Sequence, residues 1–222
     1  MLTLHHLDHS RARRVLWLLE ELEVPYEIKR YRRDARTLMA PNSLKKVHPL
    51  GKSPVITDGE LTVAESGAII EHVLERYGRG RLAPAAGTPA RRRFTYFLHY
   101  AEGSLMPLLV MKLVFSRIAP SAPFFARPLV KVIVGNVNRA FLEPQLRLQL
   151  GFVEGELTRA AWFAGDEFTA ADIQMSFPVE AAEARGGLAD YPRLRAWLER
   201  VQKRPAYQRA AEKGGPDGAL PA

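Results

Sequence analysis

Residues 48–78 read HPLGKSPVITDGELTVAESGAIIEHVLERYG, and the order of signals within them decides the fold. Pro54–Thr57 (PVIT) and Leu61–Ala64 (LTVA) are short strand-like runs joined across Asp58-Gly59, a strong hairpin signal. Directly after them, Ser66–Arg76 carries Ile69, Ile70, Val73 and Leu74 at helical spacing and closes near Gly78 and Gly80. A proline in front of a strand cannot donate to the ladder, and its preceding peptide bond can be cis. A cis bond at Pro54 would turn the backbone N–H and C=O of Val55 toward the backbone of a ligand. Glu65 and Ser66 stand where the helix opens, where free N–H groups and a hydroxyl suit an anion. An amino acid's α-carboxylate would fit Ser66 and its ammonium Glu65. The same residues also fit a plain helix cap and a plain strand start.

Upstream, Leu2–Leu7 (LTLHHL) reads as a strand. A helix follows, with Val15, Leu16, Leu18, Leu19 and Leu22 on one side, and it stops before Pro25. Tyr26–Tyr31 (YEIKRY) alternates like a half-buried strand, whereas residues 34–48 are polar and indecisive. Strand, helix, strand, irregular segment, hairpin and helix within about eighty residues predict a small mixed sheet with helices on both faces. Residues 81–90 (RLAPAAGTPA) form a linker, and almost everything beyond reads as helix, near 90–117, 125–150, 154–163, 170–184 and 192–211. The expected organisation is an α/β domain over 1–80, a linker over 81–90, an all-helical domain over 91–212 and a disordered tail over 213–222.

The 222 residues are 47% hydrophobic and 25% charged, which suits a globular protein with a sizeable core. The formal net charge of +8 favours anionic partners without naming them. Cysteine is absent, which excludes disulfides, thiolate metal sites and a cysteine nucleophile. Any thiol chemistry must use a thiol carried in by a substrate. The first residues, MLTLHHLDHS, lack the basic-then-apolar pattern of a secretory leader, and the apolar run Leu105–Phe115 is broken by Lys112 and too short to span a bilayer. A cytoplasmic protein is expected. The six histidines show no paired metal spacing, so no metal is expected, and without a nucleic-acid module no nucleic-acid partner is expected either.

Residues 9–14, HSRARR, open the first helix with three arginines, where the helix dipole disfavours positive charge. Either this is solvated surface or something negative binds there. Helical spacing lets Arg11 and Arg14 share a face and sends Arg13 elsewhere.

The long motif at 48–78, the serine-led first helix and the segment WFAGDEFTAADI (162–173) together resemble the cytosolic glutathione transferases over residues 2–210. The resemblance is strongest to a bacterial and fungal serine-type subfamily. It implies a thioredoxin-like glutathione-binding domain followed by a helical-bundle domain, assembled as a homodimer. It also implies an enzyme that stabilises the glutathione thiolate and conjugates it to a small apolar electrophile, in detoxification, or reduces a peroxide. The alternative is a non-catalytic glutathione-binding or interaction protein on the same fold.

The resemblance assigns Pro54 as the cis-proline and Val55 as the partner of the cysteinyl backbone. It assigns Glu65 and Ser66 to the γ-glutamyl group, Lys52 to the glycine carboxylate, and His48 as a weaker candidate for that carboxylate. Ser10 matches the hydroxyl that hydrogen-bonds the sulfur. The tyrosine that some classes place in the first strand is missing; His5 and His6 stand there. Leu105, Met106, Leu109 and Val110 are expected to line the electrophile site, and Glu102 to approach the partner subunit's glutathione.

Two features of the helical half carry readings of their own. Thr169 and Asp172 form a capping box, for which a folding role is expected rather than a catalytic one. From Gly103 to Leu142 there is no acid, while Lys112, Arg117, Arg127, Lys131 and Arg139 punctuate an apolar sequence. This stretch is a substrate mouth, a membrane-surface patch, or two amphipathic helices with snorkelling cations.

Overall fold

The structure, a computed structural model, describes residues 1–215. Of the tail expected over 213–222, Lys213 and Gly214 close a helix, and residues 216–222 lie outside the described residues. Four strands, β1 (Leu2–Leu7), β2 (Tyr26–Tyr31), β3 (Val55–Asp58) and β4 (Leu61–Ala64), form one sheet in the order β2-β1-β3-β4. β1 runs parallel to β2 and antiparallel to β3, and β3 antiparallel to β4. The hairpin turns at Gly59, whose φ of +64° explains the glycine.

Helix α1 (Ala12–Leu22) connects β1 to β2 and buries Val15, Leu16, Trp17, Leu18, Leu19 and Leu22. It ends at Glu23 in left-handed geometry (φ +55°), whose N–H returns to the Leu19 carbonyl, and Pro25 prevents continuation. Strand alternation gives the sheet two apolar faces. Leu2, Leu4 and Ile56 join α1, α3 (Ser66–Tyr77) and the helical half in the main core. Leu7 and Tyr31 face the other way and meet Leu44 of the one-turn α2 (Asn42–Lys45). So short a helix does not hold itself together; the complete burial of Leu44, worth about 2 kcal/mol, pins it to the sheet.

The helical domain is built on two long antiparallel runs, each interrupted by a π-helical turn. The first comprises α4 (Pro89–Tyr100), a π turn (Ala101–Leu105) and α5 (Met106–Ser121). It is longer than the apolar stretch read from sequence, and by length and composition alone it is long enough to cross a membrane. The second comprises α6 (Arg127–Val137), a π turn (Asn138–Leu142) and α7 (Glu143–Arg159). Two helices expected here, 125–150 and 154–163, are therefore one run that stops at Arg159; Gly151 and Gly155 sit inside it rather than ending it. α8 (Ala170–Glu183), α9 (Pro192–Gln202) and α10 (Pro205–Gly214) complete the domain. The single helix expected over 192–211 divides because Arg204, preceding Pro205, is extended (ψ 131°).

The capping box holds α8 in place. Buried Asp172 accepts from the N–H groups of Phe163 (3.0 Å) and Thr169 (3.0 Å), from the Thr169 hydroxyl (3.3 Å) and from Trp197 Nε1 (3.1 Å). Burial pushes its carboxyl up to about 6, against those four donors. Its partners lie in the segment leading into α8 and on α9, which is the folding role expected.

Candidate active site

The first site residue follows β1. His9 takes positive φ (+52°) and delivers Ser10, which is buried, to the start of α1. Ser10 Oγ accepts the Ala12 N–H at 3.2 Å and lies 3.2 Å from Ser53 Oγ. Ser53 Oγ donates its own proton to the His5 carbonyl at 2.9 Å and accepts the Leu7 N–H at 3.3 Å. The proton between the two serines is therefore that of Ser10. An anion approaching Ser10 competes for that proton only against the neutral Ser53 oxygen.

The three arginines of HSRARR resolve differently from either sequence reading. Arg11 Nε donates to Glu102 Oε1 at 2.9 Å, and Arg14 pairs with the same carboxylate. Arg14, whose side chain is 1% exposed, also donates to the Gln174 carbonyl at 2.7 Å. Both guanidinium groups lie over the Phe177 ring, at 5.2 and 5.3 Å. Arg13 turns away to Glu180 (2.6 Å) and Tyr207 (2.8 Å). The negative groups at the first turn are thus carboxylates of the helical domain. Burial pulls the Arg14 pKa down, and Glu102 opposes it. Burial pushes Glu102 up, but Arg14 and Arg11 leave it below the usual carboxylate range. Glu102, expected to approach a partner subunit's glutathione, pairs with Arg11 and Arg14 of its own chain and stays about a third exposed.

Ser10 forms part of the floor of a cleft of about 400 Å³ between the two domains. One wall, from the first domain, carries the cations Arg11, Arg33, Lys45 and Lys52 among apolar Leu38, Met39 and Leu50. The other is apolar: Met106, Leu109, Val110 and Leu113 of α5 with Phe177 and Ala181 of α8. Gly51 takes φ +57°, and a Cβ there would stand 2.7 Å from Lys45 Cγ, so glycine is required for Lys45 and Lys52 to flank the same opening. Glu180 is the one carboxylate among the lining residues, and it is already held by Arg13 and Tyr207.

The other site residues expected from sequence fall into two groups. Ser10, Lys52, Met106, Leu109 and Val110 line the cleft. Leu105 does not: it is fully buried in the core at the π turn. His48 is half-buried beside the cleft, and its Nδ1 has no hydrogen-bond partner. The Ser53–Pro54 peptide is cis. Val55, however, is enclosed between His5 on β1 and Ala64 on β4. Its N–H and C=O point together to one side, and a strand lies on both sides, so they face a strand rather than the cleft. Ser53, one residue before the cis-proline, is the residue that reaches the cleft. Glu65 and Ser66 follow Ala64, which pairs with Val55, so they stand at the same sheet end as Ser53 and Pro54. Exposed Glu65 has positive φ (+71°), an unusual state for a side-chain-bearing residue and one that clusters at functional sites. α3 begins behind it with no side-chain cap. His5 is occupied structurally, with Tyr31 OH at 2.9 Å and Thr57 Oγ1 at 3.3 Å.

A cis-proline at a β-strand start, an uncapped helix beside it and a helical domain closing the cleft define a two-domain protein of thioredoxin-like fold. Family models described as "Glutathione S-transferase, N-terminal domain" and "Glutathione S-transferase, C-terminal domain" match residues 1–75 and 138–205. The chain is 39% identical to Glutathione S-transferase 3 of Schizosaccharomyces pombe, over 96% of this chain and 88% of that one. It is 35% identical to Glutathione S-transferase 1 of Saccharomyces cerevisiae, over 96% and 95%. A solved glutathione S-transferase from Actinobacillus pleuropneumoniae superposes with a TM-score of 0.81 at 36% identity, covering 96% of this chain and 93% of that one. The chain belongs to the glutathione S-transferase family. Glutathione is the thiol it uses, and the comparisons support the catalytic reading rather than the carrier one.

Proposed function

We propose that the cleft holds glutathione along its basic wall with the sulfur beside Ser10, and a small apolar electrophile against α5 and α8. The observation that carries this is the position of the Ser10 hydroxyl, buried on the cleft floor between a basic wall and an apolar one. Lys52 meets the glycine carboxylate and Ser53 offers its backbone to the cysteinyl unit. Glu65 and Ser66 take the γ-glutamyl ammonium and carboxylate at the uncapped start of α3. Met106, Leu109 and Val110, with Leu113 and Phe177, receive the electrophile.

Chemically, the site must make a thiolate. A free thiol titrates near 8.5, and lowering it by one unit takes about 1.4 kcal/mol of preferential thiolate stabilisation. The Ser10 proton, the N–H groups of the first turn of α1 and the guanidinium of Arg11 supply it. The thiolate then forms a sulfur–carbon bond while the leaving group departs with its electron pair. The apolar wall excludes water and positions the electrophile. A peroxide would be attacked at oxygen by the same thiolate, with a second glutathione closing the disulfide. As a cysteine-free protein, it keeps no thiol of its own to compete with the bound one.

We further propose a cytoplasmic homodimer. The cytosol keeps glutathione reduced. Tyr96, Phe141, Leu148 and Phe152 form an exposed apolar stripe on α4 and the second long helical run that a second subunit would cover.

Substituting Ser10→Ala tests the catalytic assignment. The absorbance titration of the bound thiol should shift up by about one unit, with glutathione affinity changed no more than about twofold. An unchanged titration overturns the role of Ser10 and transfers it to the backbone N–H groups of the first turn.

A further inference from the structure

The turn joining α5 to α6 places two phenylalanines at the end of a projecting helical hairpin. Phe124 is 81% and Phe125 75% exposed, and their rings meet edge to face at 5.6 Å. Arg127 Nε ties the turn by donating to the Ala122 carbonyl at 3.0 Å. Behind the tip, α6 has no buried residue although its sequence is RPLVKVIVGNV. Leu129, Val132 and Ile133 lie along one face of it, and Val114 and Ile118 are exposed on α5. Val130 and Val134 are partly covered, but the face formed by Leu129, Val132 and Ile133 is left to solvent, which marks it as an interaction surface.

The charge around this surface specifies that partner. No acid occurs from Gly103 to Leu142. Arg127 and Lys131 lie within about one helical turn of the tip on α6, and Arg117 lies at the same level on α5. Among the described residues no carboxylate pairs with Arg127 or Lys131. An aromatic tip with a cationic collar and no acid is complementary to lipid headgroups of negative charge. A second copy of the chain would bring an equally cationic hairpin to a tip-to-tip contact, which disfavours it. A membrane-spanning arrangement of Pro89–Ser121 is also excluded, because Phe94, Phe97, Leu105 and Leu109 of that run are core residues.

We propose that the α5–α6 hairpin docks the protein on an anionic lipid surface, with Phe124 and Phe125 entering the headgroup layer and Arg127 and Lys131 meeting the lipid anions. α5 is both the apolar wall of the cleft and one leg of the hairpin. Val110, at the cleft, stands roughly 16 Å from the end of α5 at Ser121, by helical rise. Docking would hold the cleft mouth close to the bilayer, where apolar molecules concentrate.

The test is co-sedimentation of the full chain with vesicles of phosphatidylcholine alone and of phosphatidylcholine mixed with phosphatidylserine. Two double variants accompany it, Phe124→Ser with Phe125→Ser, and Arg127→Glu with Lys131→Glu. The mass of each in solution and its thermal midpoint are measured alongside. The intact protein should partition onto the phosphatidylserine vesicles more than tenfold better than onto phosphatidylcholine alone, and less at high salt. Each double variant should lose about tenfold or more of that partitioning at unchanged mass and midpoint. Failure of the intact protein to bind the mixed vesicles at low ionic strength overturns the proposal. So does equal binding to both vesicle types, or a fall in oligomer mass in either variant, which would assign the surface to a second copy.

Discussion

The first turn of α1 and the turn between α5 and α6 are made of the same materials, arginine beside aromatic rings, and they end in opposite states. At α1, Arg11, Arg13 and Arg14 each meet a carboxylate from the helical domain and stack on Phe177 or Tyr207. At the hairpin, Arg127 and Lys131 meet no carboxylate among the described residues, and Phe124 and Phe125 lie in solvent. The difference teaches that a run of cations has no meaning of its own. It becomes a structural seam where the fold supplies acids, and a docking surface where it does not. The seam fixes the α1 N-terminus, and with it Ser10, against the domain that carries the apolar wall.

The largest expected effect comes from breaking the seam. Glu102→Ala leaves Arg14 buried without its counter-charge, at a cost of about 3 kcal/mol. For a chain of this size the melting temperature should fall by roughly 10 °C. A fall of only a degree or two would mean that the Gln174 carbonyl alone satisfies Arg14. A smaller effect should come from acid. Because the folded pKa of Glu102 is depressed, its contribution is complete above about 4.5 and is lost as pH falls through the folded value. Chemical denaturation as a function of pH should therefore show a steeper acid decline in the intact protein than in Glu102→Gln. Parallel declines would show that the pair adds nothing to acid stability. The smallest effect belongs to the hairpin: Phe125→Ser should change folding stability by less than about 0.5 kcal/mol, since the ring is mostly exposed. A larger loss in denaturant titration would show that the hairpin is packed and the contrast false.

Legibility followed the range of the interactions. β1, β2 and β4 fall where the alternation of LTLHHL, YEIKRY and LTVA places them, because strand pattern and turn chemistry are local. The capping box was legible for the same reason. Helix ends in the second domain were less so, since Gly151 and Gly155 read as breaks but are carried through by the packing of Leu150 and Val153 around them. In the site, Ser10 and Lys52 were legible as residues of a motif. Ser53 was not, because its hydrogen bonds with Ser10 and with the His5 carbonyl cross forty-three and forty-eight residues. Val55 was misassigned because only the sheet order shows that its strand has neighbours on both sides. Asn42 and Lys45 were hidden in a polar segment whose single buried residue, Leu44, was the available signal.

By itself, the sequence determined the family, the mixed sheet, the helical second half and the need for a borrowed thiol, because local periodicity, turn residues and the absence of cysteine are properties of the chain alone. Only the tertiary structure decided what each charge and hydroxyl does. It paired the HSRARR arginines with Glu102 and Glu180, directed the Ser10 proton toward Ser53 and left the α5–α6 hairpin uncovered. Electrostatic and hydrogen-bonding roles depend on distance and burial, and those are set by residues far apart in the chain.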